Sequence, residues 1–277
     1  MLLPAERRAL DLLDAHLEAL WGTWEPSDVL PGEPSGLAAE GAGELVHWAL
    51  GRLRSIPREP KDAFAREIGG LLMELRSRRS PWNAAALRLL DDQCIFVATG
   101  PRRHEDWTHD VHAVLHRTVT DPRGWLRLDM DCPDPARQTV PAYPFDPPAP
   151  ADMPAHLHPL DAQAAVAALA VMAEEWQSEQ APVRSRPDRD ALLADARLLL
   201  DRYEPGAHYW TNATAAASTP APDFLASGLQ GTETHRVHTT AYIAGLDIFE
   251  DLGVIAVNDE EVGVFRSKVR SAPIPAV

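Results

Sequence analysis

The sequence predicts an α+β protein: a helical N-terminal bundle followed by an antiparallel sheet built round a hairpin over 110–132. Three observations carry this reading. Apolar residues recur at helical spacing through most of the first 90 positions. Gln93–Thr99 (QCIFVAT) is a short run of β-forming residues. Asp110–Cys132 alternates apolar and polar residues on both sides of a turn sequence.

The helices come first in the chain. Residues 4–22 place Leu10, Leu13, Leu17, Leu20 and Trp24 in one stripe. A second helix is expected from about Ser35, which suits an N-cap, to about Ile56, with Leu45, Trp48, Ala49 and Leu53 as its core face. A third, about 61–77, turns Phe64, Ile68, Leu71, Leu72 and Leu75 inward. Its final Arg76, Arg78 and Arg79 suit the negative end of a helix dipole and are read as that alone. A shorter helix covers 81–90. After the strand at 93–99, Gly100-Pro101 reads as a break, and Arg102–His109 as a polar loop leading into the hairpin.

The hairpin turns at Asp121-Pro122-Arg123-Gly124, where Pro presets a turn angle and Gly accepts a positive φ. This register sets His116 opposite Asp129 and Thr118 opposite Arg127. One face then carries Val111, Ala113, Leu115, Val119, Leu126, Leu128, Met130 and Cys132, and the other Asp110, His112, Val114, His116, Thr118, Arg127, Asp129 and Asp131, with Arg117 spoiling the first and Val114 the second. The polar face is either the wet side of the sheet or the wall of a cleft. In the second case Asp129 orients His116 as a general base. His112 and His116 share a face in a strand or a helix, because a spacing of four suits both periods.

Pro133–Pro154 holds eight prolines and reads as an extended connector. It suggests a division into 1–132, a connector over 133–157, and 158–277, or else one continuous domain. Helices are expected at about 160–180 and 188–203, and a strand near 208–217. Phe224–Leu229 reads as a helix and its turn, and Glu233–Leu252 as a longer helix stopped by Gly253. Val254–Val257, Asn258–Glu261 and Val262–Arg266 form a second hairpin. Helix, turn, helix, glycine and two-stranded wing is an order that resembles a winged helix. A DNA-reading helix would be basic, and this one sets Asp247, Glu250 and Asp251 against Arg236. The resemblance therefore implies packing within the fold or against a protein.

Composition bounds the function. A chain of 277 residues with net charge −15 can bury a sizeable core, and its charge argues against a nucleic-acid partner. Lys occurs only at 61 and 268 while Arg and Ala abound, which reads as GC-rich coding and a bacterial source. No leader pattern and no membrane-length apolar run occurs, so a soluble, cytoplasmic protein is expected. Cys94 and Cys132 form no C-x-x-C; they read as buried thiols, with a disulfide between them as the alternative. Phosphate-binding, dinucleotide-binding and serine-hydrolase motifs are absent, so no organic cofactor is expected.

The ionisable residues suggest three functions. The first is a small-molecule enzyme working by acid–base chemistry (hydrolysis, elimination or cyclisation). Its catalytic residues would be His116, Asp129, His112 and Asp131, and its substrate-binding residues His104, Asp106, His109 and Arg127. The second is a non-catalytic acidic module that binds a basic protein partner, such as a toxin-neutralising, regulatory or accessory subunit. The third is a metal-dependent enzyme using histidine and aspartate. His104-Glu-Asp-Trp-Thr-His109 is one residue too long for a zinc-protease helix, because five residues leave its two imidazoles about 140° apart. His104-x-Asp106 matches half of a two-histidine, one-carboxylate site.

Overall fold

A computed structural model describes residues 4–23, 43–90, 95–119, 147–174, 182–229, 231–234 and 252–267. The chain is mixed α+β and forms two compact units, Met1–Ala84 and Ala85–Val277.

In the first unit, α1 (Pro4–Thr23), α2 (Gly43–Ser55) and α3 (Lys61–Arg79) pack pairwise. The stripe expected on α1 is buried at Leu10, Leu13, Leu17 and Leu20, and every inward residue expected on α3 is buried. On α2 the core residues are Val46, Ala49 and Leu53, with Leu45 and Trp48 half-buried at the margin. Trp24 and the start expected for α2 at Ser35 lie outside the described residues. Arg76 corrects the dipole reading of the basic cluster. Its side chain is only 3% exposed, and its guanidinium is held by Asp14 at 2.9 Å and Glu18 at 2.6 Å. Asp14 and Glu18 stand one turn apart on α1, so a single arginine meets both.

The second unit is organised by a five-stranded antiparallel sheet in the order β1-β5-β4-β3-β2. The strands are β1 (Ile95–Pro101), β2 (His158–Leu160), β3 (His208–Thr211), β4 (Gly253–Val257) and β5 (Glu261–Ser267). The hairpin expected at 254–266 is present, and its two strands lie inside the sheet. The helix expected before it, 233–252, lies almost wholly outside the described residues. Gly100-Pro101 does not break β1, which stays paired with β5 as far as Pro101 opposite Glu261. Proline is tolerated there because β1 is an edge strand.

The hairpin over 110–132 is corrected in its first arm. The shorter helix expected at 81–90 is α4 (Pro81–Leu90); residues Trp107–Leu115 form the next helix, α5, and the sheet is built on β1 and the β4–β5 hairpin. The second arm, including Arg127, Asp129 and Asp131, lies outside the described residues. The segment 107–118 satisfies both periods, and capping decides between them. The Asp106 carboxylate accepts the Thr108 N–H at 3.0 Å and so caps the N-terminus. Arg117 takes the left-handed conformation at φ 56°, with Thr118 N–H donating to Ala113 O and Arg117 N–H to Val114 O. That pair of bonds is the Schellman stop. Between the caps, Val111, Val114 and Leu115 fall on one helical stripe and are buried.

Strand alternation gives the sheet two covered faces. Phe96, Ala98, Val262, Val264, Ile255 and Val257 form a core with Val111, Val114 and Leu115 of α5 and with Met153. Met153 belongs to a 3-10 turn, Pro150–Ala155, at the end of the proline-rich connector. A side chain at Gly100 would run into Val114, so the glycine sets how closely α5 approaches β1. The other face carries Val97, Val254, Ala256, Phe265 and Tyr209. It is covered by α6 (Ala162–Met172) and by Tyr203, which follows α7 (Arg189–Asp201). Both helices lie within the ranges expected, as does the short α8 (Phe224–Ser227).

The buried Arg76 gives an ordered prediction for the first unit. Replacing both Asp14 with Asn and Glu18 with Gln leaves a buried cation without its carboxylates and costs about 3–5 kcal/mol. Arg76→Met removes the charge as well and costs far less. Urea unfolding of the two variants checks the order, and an equal or reversed cost contradicts it.

Candidate functional site

The histidines singled out in the sequence gather round α5. His104 lies in the loop between β1 and α5, His109 and His112 lie on the helix, and His116 is its C-cap. Positions 109, 112 and 116 are spaced three and four apart, so they share the helix face turned away from the sheet. The His112 and His116 rings stack at 4.1 Å, and the His104 and His109 rings lie 5.4 Å apart. His116 caps a helix and takes no strand register, and its expected partner Asp129 lies outside the described residues.

The chemistry centres on Asp110, one turn into α5. Its side chain is 2% exposed. A carboxylate buried so deeply must be fully hydrogen-bonded. Oδ2 accepts from Arg102 Nε at 3.1 Å and from His104 N–H at 3.3 Å. Oδ1 accepts from Arg103 N–H at 3.2 Å and from His104 Nδ1 at 2.6 Å. An ionised carboxylate only accepts, so His104 Nδ1 carries the proton and Nε2 of the neutral ring is the basic nitrogen. The His104 side chain is half-exposed. A buried aspartate thus fixes the tautomer and orientation of an accessible imidazole.

The loop that presents His104 is itself tied down. Arg102 N–H donates to Glu260 O at 2.8 Å. The Arg102 guanidinium donates to Asn258 O, His104 O and Glu105 O at 3.0–3.1 Å. Asn258 Oδ1 accepts from Glu260 N–H and Glu261 N–H and shapes the β4–β5 turn. The loop before α5 is therefore held to the far end of the central hairpin.

Asp106 is committed to its cap, and the Thr108 N–H holds its carboxyl below the usual carboxylate range. His112 is held below the ordinary imidazole value, first by burial and then by the His116 and His109 imidazoles. Beside the histidines, Trp107 packs on Trp210 of β3 at 4.4 Å, and His208 lies 6.0 Å from Trp210. Among the described residues, no three His, Cys, Asp or Glu side chains converge as a metal-ligand set. None of the described helices is long and apolar enough to cross a membrane.

Sequence reasoning selected His104, His109, His112 and His116 but not the partner of His104. The missed signal was Asp110 itself. It interrupts the apolar stripe of Trp107, Val111 and Val114, and a charge in a stripe marks a buried, paired group.

No family model matches this chain, and no curated protein or solved structure is significantly similar to it.

The depressed His112 value has a testable sign. The unfolded chain binds this proton more readily than the folded one. The associated stability is therefore present above the unfolded-state value and lost as pH falls through the folded one. In a histidine NMR titration, His112 should show a midpoint below the ordinary imidazole value, and His116→Ala should raise it. A midpoint at or above that value contradicts the burial and pairing described.

Proposed function

We propose that this protein is an enzyme acting on a small molecule by acid–base chemistry, with His104 as the proton-transferring group and Asp110 as its orienting partner. The observation that supports it is the 2.6 Å contact between His104 Nδ1 and the buried Asp110 carboxylate. Such a partner fixes the tautomer, leaves Nε2 to take a proton, and stabilises the imidazolium that results. His109, His112 and His116 would line the approach, with burial favouring the neutral form of His112. Hydrolysis, elimination or cyclisation without an organic cofactor suits this group. The composition is in keeping with a bacterial, cytoplasmic setting.

A screen on small esters, lactones and β-elimination substrates tests the proposal. His104→Ala should lower any turnover found by about 10²–10⁴-fold at a stability cost of about 1–3 kcal/mol, because Asp110 Oδ1 keeps the Arg103 N–H but loses its His104 donor. Asp110→Asn should lower both turnover and stability, because the clamp on residues 102–104 weakens with it. Unchanged turnover in His104→Ala overturns the assignment.

The net charge of −15 favours a second reading, a non-catalytic acidic module for a basic protein partner. It predicts binding to a basic protein such as lysozyme that weakens steeply between low and physiological salt. Indifference to basic proteins at low salt counts against it.

A further inference from the structure

The sheet face opposite α5 has its own cleft. It lies among α6, α7, α8 and β3 and encloses about 420 Å³, within the ordinary size of small-ligand sites. Its lining mixes charged side chains with the apolar Val166, Leu193, Leu200 and Leu225. Arg189, Leu193, Arg197 and Asp201 follow helical spacing, so α7 presents them as one stripe, and Glu204 extends it.

The charges along that stripe are ordered by sign. Arg189 and Arg197 come first, then Asp201 and Glu204. Helical rise puts Arg189 and Asp201 about 18 Å apart, and Arg197 and Asp201 about 6 Å apart. The cleft is therefore cationic towards one end and anionic towards the other. At the anionic end, Tyr209 is 5% exposed and its hydroxyl donates to Glu204 Oε1 at 3.0 Å. Burial and Glu204 push the phenol well above its ordinary value, so it stays a donor and holds that carboxylate in place.

Nearby arginines are taken up by carboxylates. Arg186 pairs with Asp188, Arg202 with Glu261, and Arg88 with Asp195 of α7. The guanidinium groups of Arg189 and Arg197 have no ion pair or hydrogen bond among the described residues. Two cations and two carboxylates thus line one cleft together with apolar side chains, without pairing with each other.

We propose that this cleft binds a short zwitterionic molecule of the amino acid or dipeptide class. Its carboxylate lies against Arg197 and Arg189, and its ammonium against Asp201 and the Tyr209-held Glu204. Arginine suits the carboxylate because its planar fork matches two oxygens. The apolar lining residues Leu193, Val166 and Leu225 take the side chain between the charged ends. The site is independent of His104, which lies with α5 on the other face of the sheet.

Calorimetric titration of the full chain with the dipeptide alanyl-leucine, its N-acetyl form and its C-terminal amide tests the proposal. The free dipeptide should bind at micromolar to millimolar concentrations, and each capped form should bind about tenfold more weakly or worse, the equivalent of about 1.4 kcal/mol. Arg197→Gln should lose affinity for the free dipeptide but bind the amide as the parent chain does. Asp201→Asn should behave likewise towards the N-acetyl form. His104→Ala should leave binding unchanged, which separates this proposal from the catalytic one. Circular dichroism melts confirm that each variant is folded. No binding of the free dipeptide overturns the proposal. So does equal binding of all three, or dependence on one charged end alone.

Discussion

A single buried carboxylate sets the order of the second unit's polar edge. Asp110 accepts bonds on both oxygens from Arg102, Arg103 and His104, and each donor belongs to the loop between β1 and α5. Burying a carboxylate is costly unless every lone pair is met, so the loop has one low-energy path once α5 is docked. Arg102 carries the constraint on to the β4–β5 turn. The position of His104 thus follows from helix docking and not from local loop preference. The same carboxylate serves fold and site.

Docking of α5 rests on packing of the other kind. Val111, Val114 and Leu115 press on Phe96, Ala98, Val262 and Val264, and the absence of a side chain at Gly100 lets Val114 approach β1. On the far face Tyr203 lies against Gly263, where any side chain would collide with the phenol, and edge-on to Phe265 at 6.3 Å. The two faces are chemically distinct. One presents a row of imidazoles on α5, the other a cleft with charges of both signs beside α7.

Much of this was legible in the residues. The stripes of α1, α3 and α7 have long, unambiguous helical periods, and Asn258–Glu261 between two apolar runs marks the β4–β5 hairpin. The segment 110–118 reads as a strand because Asp110, His112, Val114 and His116 alternate acceptably, while Val111, Val114 and Leu115 repeat as a helix. Asp106 as an N-cap and the left-handed Arg117 decide the matter, and an arginine is not the residue a helix stop leads one to expect. The adjacency of His112 and His116 is legible either way, because a spacing of four keeps them together in a strand or a helix. The pairing of His104 with Asp110 was not legible, since a hydrogen bond across six residues depends on the loop's path and leaves no periodic trace.

The central claim is that Asp110 holds His104 in one tautomer with its outer nitrogen free to take a proton. Nitrogen-15 NMR of the imidazole side chains measures this directly. At neutral pH, His104 should appear as the Nδ1–H tautomer with a downfield, slowly exchanging ring proton that disappears in Asp110→Asn. A ring protonated at Nε2 alone, or a tautomer mixture indifferent to Asp110→Asn, would contradict the account.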